Sequence, residues 1–320
     1  MSAEAILIAV GDDRAEDWLP VFAQHYPDEA VRWYEPGMDD ATLRDCAYAI
    51  VWAPDAALLD RIGHMKALFS LGAGVDHITR SGVALPAIPV VRYVGDDLTN
   101  RMSEWIVLQC LHHLRQHGRY RLQQRDHVWR ALPQPGAEDV RVGIMGLGVL
   151  GSDAAAKLKP FGFRLSGWSR TRKATDGMEC FAGEEELDAF LGQTDFLVSL
   201  LPRTAETEGL VNHAFLEKLA RDGVFGAPVY INAGRGKTQV DADVVAALHD
   251  GTLAGASLDV FETEPLPSGH PAWDAPNLVI TPHAAAWSKR SAVVDYVMGQ
   301  IARLRQGKPL ENVIDPKAGY

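Results

Sequence analysis

One short segment in the middle of the chain constrains the fold more than any other. Residues 143–151 read GIMGLGVLG, so three glycines follow an apolar run and open an amphipathic pattern that Pro160 ends. The first glycine permits a tight turn, the second lets backbone approach a pyrophosphate, and the third lets helix and strand pack closely. The pattern predicts a dinucleotide-binding turn, rather than an ordinary glycine-rich one, formed by Gly146, Leu147, Gly148, Val149, Leu150 and Gly151.

Short apolar runs alternate with amphipathic stretches on both sides of this turn. The runs are strand-sized and lie at 5–10, 47–52, 67–71 and 88–91, then at 140–145, 163–168, 196–200, 229–232, 254–260 and 278–281. Helical patterns between apolar strands indicate βαβ crossovers and parallel sheets. The chain is therefore predicted to be α/β, with two doubly wound parallel-sheet lobes and six strands in the second lobe.

Two long patterns and the chain length suggest how the lobes are divided. A helix is predicted at 102–124, with a break at Gly118, and a final helix at 287–306 that returns to the first lobe. The proline-rich stretch 132–138 is the best linker candidate. Because 320 residues exceed a typical single domain, we expect two domains, one of residues 1–101 plus 286–320 and one of residues 102–285 that contains the glycine-rich turn.

Bulk composition argues against several classes of partner. The 42 acidic and 31 basic residues give a net charge of −11, which disfavours nucleic acid and anionic membranes. No apolar run is long enough to span a bilayer, and the first residues lack a basic region, so we expect a cytoplasmic protein. Cys46, Cys110 and Cys180 are widely spaced, which favours inert thiols over a metal site or a disulfide framework.

The residues after the second strand of the cofactor lobe predict which dinucleotide binds. An NAD enzyme is expected to carry a carboxylate there, about 20 residues beyond the glycines, to bind the ribose 2′-hydroxyl. This chain instead has two hydroxyls and three cations, namely Ser169, Arg170, Thr171, Arg172 and Lys173. A guanidinium binds phosphate through two parallel bonds, so the segment predicts NADP(H). The alternative interpretation is a solvated basic loop.

Three residues suit the reduction of a keto acid by hydride transfer. Arg235 follows a buried strand in NAGRG, where its guanidinium could hold a carboxylate. His283 follows the last strand in TPH and is suited to proton exchange near neutrality. Glu264, in FETEP, would orient the imidazole and favour its protonated form if it lay beside it. Eleven histidines and many carboxylates could also be paired by chance, so the residues alone leave this trio open.

The chain resembles the D-isomer-specific 2-hydroxyacid dehydrogenase family over nearly its whole length. The motifs that carry the resemblance are LFSLGAGVDHI at 68–78, GIMGLGVLG at 143–151, LLPRTAET at 200–207, INAGRG at 231–236, LDVFETEPLP at 258–267, HPAW at 270–273 and TPHAAA at 281–286. WSRTRK at 168–173 and VWAPDAALL at 51–59 resemble most closely the bacterial A-type glyoxylate/hydroxypyruvate reductases.

The resemblance implies roles for individual residues. Arg235 would bind the substrate carboxylate and carbonyl, His283 would be the acid, and Glu264 its partner. Leu201, Pro202, Ala233 and Asp259 would line the cofactor, while Trp52, Ala73 and Gly74 would close the substrate pocket from the first lobe.

The resemblance also implies an architecture. The cofactor domain would be inserted in a flavodoxin-like substrate domain, with a cleft between the lobes and a homodimer joined through the cofactor lobe. The activity implied is NADPH-dependent reduction of glyoxylate to glycolate and of hydroxypyruvate to D-glycerate, with no metal.

Other interpretations of the same residues remain. A non-catalytic dinucleotide sensor, such as the C-terminal binding protein corepressors, keeps the same trio, and a dehydrogenase of another D-2-hydroxy acid fits equally well. A Rossmann methyltransferase would instead place an acidic residue where Arg170 stands. Trp287, Ser288, Lys289 and Arg290 are bulkier and more basic than the bacterial reductases lead us to expect, which leaves substrate preference open.

Overall fold

The protein is described by a computed structural model that covers residues 4–11, 13–75, 77–78, 85–175 and 177–314. The chain forms two compact units, Met1–Asp97 with Ser288–Tyr320, and Leu98–Trp287. The predicted crossing points at 101 and 286 lie near these boundaries, and the roles assigned to the two domains remain predictions.

The first unit is built on a five-stranded parallel sheet. Its strands are β1 (Ala5–Val10), β2 (Val31–Trp33), β3 (Cys46–Trp52), β4 (Ala67–Ser70) and β5 (Val90–Val91), in the order β2-β1-β3-β4-β5. Helices α1 (Ala15–His25), α2 (Asp40–Arg44) and α3 (Ala56–Arg61) connect them. All six residues of β1 are buried, as expected for a parallel strand covered on both faces. The sequence did not predict β2, because a three-residue strand at the sheet edge has no long apolar run.

The second unit is built on a seven-stranded parallel sheet. Its strands are β6 (Arg141–Met145), β7 (Arg164–Ser169), β8 (Glu179–Ala182), β9 (Phe196–Ser199), β10 (Val229–Asn232), β11 (Gly255–Leu258) and β12 (Leu278–Ile280), in the order β12-β11-β10-β9-β6-β7-β8. The helices are α4 (Asp96–Leu114), α5 (His117–Arg125), α6 (Val149–Leu158), α7 (Leu187–Leu191), α8 (His213–Glu217) and α9 (Asp241–His249).

Each unit contains a parallel sheet whose strands are connected by helices. This confirms the predicted α/β fold class. The count of six strands in the second lobe was wrong, because β8 was missed. It is an edge strand with no fully buried residue, so it lacks the apolar run that marks the others. Strand order reverses between β9 and β6, and ligands bind at such a switch point in open α/β sheets.

The predicted helix break was placed two residues too late. Helix α4 ends at Leu114 and α5 begins at His117, so Gly118 lies inside α5. The break falls at Gln116, which adopts a left-handed φ of 54° and donates its side-chain amide to the Pro133 carbonyl. A tertiary contact therefore selects the position of the break.

The linker candidate 132–138 lies inside the second unit rather than at its boundary. The Leu132 N–H donates to the Tyr120 hydroxyl at 3.0 Å, which ties this stretch to α5.

The final helix, α10 (Arg290–Arg305), starts three residues after the predicted position and belongs to the first unit. It packs on α1, and the Tyr26 hydroxyl donates to Asp295 at 3.0 Å. The Arg305 guanidinium pairs with Glu29 at 2.5 Å. These contacts hold the C-terminal segment against the first sheet's helical layer.

Three further features complete the description of the two units. No helix in the described part of the chain is both long and apolar enough to cross a membrane. The same residues contain no group of three or more histidine, cysteine, aspartate or glutamate side chains placed to hold a metal ion. Cys46 and Cys110 are buried, whereas Cys180 is half-buried.

Candidate active site

Close backbone contacts require two of the three glycines in the turn after β6 and leave the third open. Gly146 has a φ of +101°, and a Cβ there would lie 2.9 Å from the Leu200 carbonyl oxygen. A Cβ on Gly151 would lie 2.0 Å from the Gly146 carbonyl oxygen, because α6 packs directly on the turn. No described atom lies within 4 Å of the place where Gly148 would carry a Cβ. The N-terminus of α6 is therefore open on the side where a pyrophosphate would approach.

The other residues of this turn divide between core and surface. Leu147 is buried against β7, where a Cβ on Gly167 would collide with it, and Val149 is half-exposed at the start of α6. Leu150 is half-buried against the core. The turn thus presents backbone rather than side chains to a ligand.

The basic segment follows β7 as expected and is exposed at residues 170–174. The Ser169 hydroxyl donates to the Thr171 carbonyl at 2.8 Å. The Arg172 guanidinium donates to the Cys180 carbonyl at 2.9 Å and pairs with Glu186, which also accepts the Ala182 N–H at 2.8 Å. Arg172 is therefore fixed in place by an acidic partner that the sequence did not suggest.

Arg170 lies within the influence of another carboxylate. The pKa of Glu206 is lowered, chiefly by the hydrogen bond from Thr204 and in part by the Arg170 charge. Glu206 belongs to the LLPRTAET segment after β9, so the two loops approach each other at this edge of the sheet.

Arg235 lies on the loop after β10, between the loops that follow β9 and β11. A Cβ on Gly234 would lie 2.7 Å from the Leu201 carbonyl oxygen, and one on Gly236 would lie 1.9 Å from the Phe261 carbonyl oxygen. Both flanking glycines are therefore required by close approach to the loops after β9 and β11. Arg235 is half-buried, and its guanidinium donates to the Gly234 carbonyl at 2.8 Å.

His283 and Glu264, separated by 19 residues in sequence, are in direct contact. The imidazole Nδ1 lies 2.7 Å from Glu264 Oε2, while Glu264 Oε1 accepts the Phe261 N–H at 3.0 Å. An ionised carboxylate can only accept, so Nδ1 carries a proton and Nε2 is the nitrogen left for exchange with a ligand. The Glu264–Pro265 peptide bond is cis.

The backbone of His283 is held in an unfavourable conformation. Its φ is +53°, a left-handed value that costs about 1–2 kcal/mol for a residue with a Cβ. The His283 N–H donates to the Asp259 carbonyl at 2.8 Å, which secures that conformation. Strain at a reactive side chain is typical of functional sites.

Asp259 holds the His283 loop with both carboxylate oxygens. Oδ1 accepts the Thr281 hydroxyl at 2.5 Å and the Ala284 N–H at 2.9 Å, and Oδ2 accepts the Ala285 N–H at 3.0 Å. Burial raises the pKa of this carboxyl, an effect that these hydrogen bonds oppose. The sequence did not predict this anchoring role of Asp259 or the contribution of Thr281, because each depends on contacts between separate strands' loops.

The remaining residues predicted to line the cofactor lie on the same edge of the second sheet. Leu201 and Ala233 are buried, and the half-buried Pro202 accepts the Thr207 hydroxyl through its carbonyl at 2.7 Å. They follow β9, which pairs with the strand before the glycine-rich turn, and β10, which pairs with β9.

The predicted substrate residues of the first unit lie at the carboxyl edge of its own sheet. Trp52 ends β3 and stacks on His77, with ring centroids 4.0 Å apart. Ala73 and Gly74 are half-buried in the loop after β4, and the Ser70 hydroxyl lies 3.0 Å from the Gly74 carbonyl oxygen. Asp76, inside the LFSLGAGVDHI motif, lies outside the described residues.

The basic segment after His283 is largely structural. Arg290 pairs with Asp13 at 3.1 Å, and its guanidinium lies over the Trp18 ring at 6.0 Å. The Lys289 N–H donates to Asp97 at 2.8 Å. Trp287, by contrast, is 68% exposed.

A comparison with protein families identifies residues 107–285 as a D-isomer specific 2-hydroxyacid dehydrogenase, NAD binding domain. That range includes the glycine-rich turn, Arg235, Glu264 and His283.

Solved structures match over the whole length of the chain. The NADPH-dependent glyoxylate/hydroxypyruvate reductase from Sinorhizobium meliloti, in complex with NADP and sulfate, is 47% identical over 99% of this chain and 100% of its own, with a TM-score of 0.92. A probable 2-hydroxyacid dehydrogenase from Rhizobium etli, in complex with NADP, HEPES and L(+)-tartaric acid, is 48% identical over 99% and 100%, with a TM-score of 0.91. A D-isomer specific 2-hydroxyacid dehydrogenase from Xanthobacter autotrophicus, in complex with NADPH and MES, is 34% identical over 99% and 100%, with a TM-score of 0.91.

These matches agree with the geometry at one edge of the second sheet. That edge carries the open glycine-rich turn, the guanidinium of Arg235 and the imidazole of His283 paired with Glu264. The chain belongs to the D-isomer-specific 2-hydroxyacid dehydrogenase family.

Proposed function

We propose that the protein is an NADPH-dependent reductase of small 2-keto acids such as glyoxylate and hydroxypyruvate. The observation that carries the proposal is the 2.7 Å contact between His283 Nδ1 and Glu264, which leaves Nε2 as a proton donor. Arg235, on its loop between two neighbouring strands' loops, supplies the cation for the substrate carboxylate.

The residues present suit a nicotinamide dinucleotide. The open backbone at Gly148 and the N-terminus of α6 suit its pyrophosphate, and Arg170 with Arg172 suits a 2′-phosphate. When bound, the reduced cofactor supplies a hydride to the keto carbon. His283 Nε2 gives its proton to the carbonyl oxygen, Glu264 stabilises the imidazolium before transfer, and the neutral imidazole then regains a proton from solvent.

Two lines of support favour the phosphorylated cofactor and this substrate class. All three relatives described above were solved with NADP or NADPH. The one from Sinorhizobium meliloti is named a glyoxylate/hydroxypyruvate reductase. The segment 169–173 carries no carboxylate of its own, and the carboxylate that lies against it, Glu186, is paired with Arg172.

The test is oxidation of NADPH and of NADH over a panel of 2-keto acids. We expect turnover of glyoxylate and hydroxypyruvate with NADPH preferred at least about tenfold, since one charge-assisted bond to a phosphate contributes on the order of 1.5 kcal/mol or more. Equal use of both cofactors would contradict the NADPH assignment. Absence of turnover with every keto acid would favour the non-catalytic sensor instead.

Single substitutions locate the phosphate contact. Arg170→Ala and Arg172→Ala should each raise the KM for NADPH and leave that for NADH nearly unchanged, because NADH has no 2′-phosphate. Lys218→Ala is the control, since this lysine pairs with Asp188 on the helical layer at 2.7 Å. A loss of NADH binding equal to the loss of NADPH binding would assign the segment to a structural role.

We also propose a homodimer formed through the second unit. Trp129 is fully exposed, Leu122 and Val128 are each 46% exposed, and a cavity of about 500 Å³ lies beside α4 and α5. Exposed apolar side chains near a cavity are typical of a protein interface. Trp129→Ser should shift the mass measured by light scattering toward the monomer, whereas substitution of exposed Trp273 to Ser should not.

A further inference from the structure

A buried chain of side-chain amides and carboxylates runs beneath the loop that carries Arg235. Asn232, at the end of β10, accepts the Gly234 N–H at 2.9 Å and donates to Gln239 Oε1 at 2.8 Å. Gln239 donates through Nε2 to Asp241 Oδ1 at 2.8 Å and lies 3.2 Å from the Val260 carbonyl oxygen. Both ends of the Gln239 amide are therefore satisfied by protein.

The same chain continues to the loop that carries Glu264. Asp241 Oδ2 accepts the Glu262 N–H at 3.0 Å, and the Asp241 N–H donates to Glu262 Oε2 at 2.7 Å. Glu262 follows Phe261, whose N–H donates to Glu264. Hydrogen bonds thus connect the Arg235 loop to the loop that orients His283.

These groups are buried, so water cannot replace a hydrogen bond that one of them loses. Asn232, Gln239 and Asp241 are no more than 3% exposed. Burial raises the pKa of Asp241, and the nearby Glu262 charge adds to this, while the bonds from Gln239 and Glu262 and the charge of His270 oppose it. A buried amide or carboxylate that loses its hydrogen-bond partner is destabilising, and movement of the loops relieves that loss.

We propose that Gln239 and Asp241 are positioning residues that fix the distance between the Arg235 loop and the Glu264 loop. This inference rests on the proposed function, because it assigns the consequence to binding of the keto acid. Gln239 is the central member, since it alone bonds Asn232, Asp241 and Val260 together. Neither residue touches the reacting atoms; each acts through the backbone of the loop it supports.

The first test replaces Gln239 with an apolar side chain of similar size. Gln239→Leu should raise the KM for the keto acid about tenfold, with a smaller change in kcat and no change in the KM for NADPH, because Arg235 is displaced while the glycine-rich turn is not. Thr194→Val is the control. Thr194 is also fully buried and donates to the Phe190 carbonyl at 2.8 Å, but at the opposite end of β9.

The second test exchanges the donor and the acceptor of the hydrogen bond between Gln239 and Asp241. Gln239→Glu places a carboxylate against Asp241. It should raise the KM for the keto acid at least as much as Gln239→Leu does. Adding Asp241→Asn restores a donor between positions 239 and 241 and keeps an acceptor for the Glu262 N–H. The double variant should therefore recover a lower KM than Gln239→Glu alone, which a general loss of stability does not predict.

Amide hydrogen exchange gives a readout that needs no turnover. Exchange at residues 233–238 and 261–264 should increase in Gln239→Leu and stay at wild-type levels in Thr194→Val. Unchanged exchange, an unchanged keto-acid KM, or an equal rise in the KM for NADPH would each overturn the inference. Wild-type enzyme without keto-acid turnover would reject the proposed function, and hydrogen exchange would still decide the positioning role.

Discussion

The carboxyl edges of the two sheets hold their predicted site residues by different means. In the second unit, Asp259 alone binds three groups of the His283 loop, and Glu264 orients the imidazole. In the first unit, Trp52 stacks on His77, and the loop at 72–74 is contacted by the Ser70 hydroxyl and by the Tyr93 N–H.

The two units therefore differ in how precisely they position the side chains at their sheet edges. Charge-assisted and backbone-directed bonds fix a side chain within a few tenths of an ångström, as proton transfer requires. Aromatic stacking excludes water and shapes a surface but tolerates sliding. We expect substitutions around His283 in the second unit to act mainly on kcat, and those at the first unit's edge mainly on KM.

The largest effect is expected at His283. His283→Asn should lower kcat by at least about 10²-fold, because it removes the proton donor. Asparagine tolerates the left-handed φ of +53° better than most residues that carry a Cβ, so the loop should keep its conformation. Steady-state kinetics and a melting curve would be measured together. Activity within a few-fold of wild type would exclude His283 as the acid.

Arg235→Lys should have the next largest effect. Lysine keeps the charge but lacks the planar fork, so kcat/KM for glyoxylate should fall at least about tenfold. A carbonyl compound without a carboxylate, such as pyruvaldehyde, should be a poor substrate for both proteins. If the substitution lowered turnover of pyruvaldehyde as strongly as that of glyoxylate, the carboxylate contact would be disproved.

Removing one hydroxyl group from each unit tests whether the two sheet edges differ in function. Thr281→Val removes the donor at 2.5 Å from Asp259, and we expect kcat to fall a few-fold while KM changes little. Ser70→Ala removes the contacts to Gly72 and Gly74, and we expect the opposite pattern. Kinetics with hydroxypyruvate would separate the two. The same pattern in both variants would show that the two edges do not differ in function.

The smallest effect on turnover is expected at His113, which affects stability instead. Burial, helped by neighbouring His112, lowers the pKa of His113 to about 3 from 6.5, and Nε2 lies 2.9 Å from the Ser257 hydroxyl. The folded chain therefore keeps His113 neutral where the unfolded chain protonates it. Its stabilisation is complete above about pH 6.5 and is lost as pH falls toward 3, at about 1.4 kcal/mol per pH unit.

His113→Gln should reduce that slope. Denaturant unfolding at several pH values between 7.5 and 4.5 would measure it. His249→Gln, on the exposed end of α9, is the control and should keep the wild-type slope. An identical slope in wild type and His113→Gln would mean that folding does not lower the pKa of His113.

The sequence by itself determined the fold class, the glycine-rich turn and the family. Apolar runs mark parallel strands that are buried on both faces, and Gly146 and Gly151 are required by close backbone contacts, whereas Gly148 leaves the start of α6 open. Local patterns of this kind survive in the sequence because local sterics cause them.

Only the tertiary structure decided the rest. The edge strands β2 and β8, the helix break at Gln116, the Arg172–Glu186 pair and the support of Arg235 by Gln239 have no local signature. The contact between His283 and Glu264 could be suspected from a family resemblance, but its 2.7 Å distance depends on how β11 and β12 pair. Such features arise because parallel strands bring loops from distant parts of the chain to one edge, where their side chains select one another by geometry.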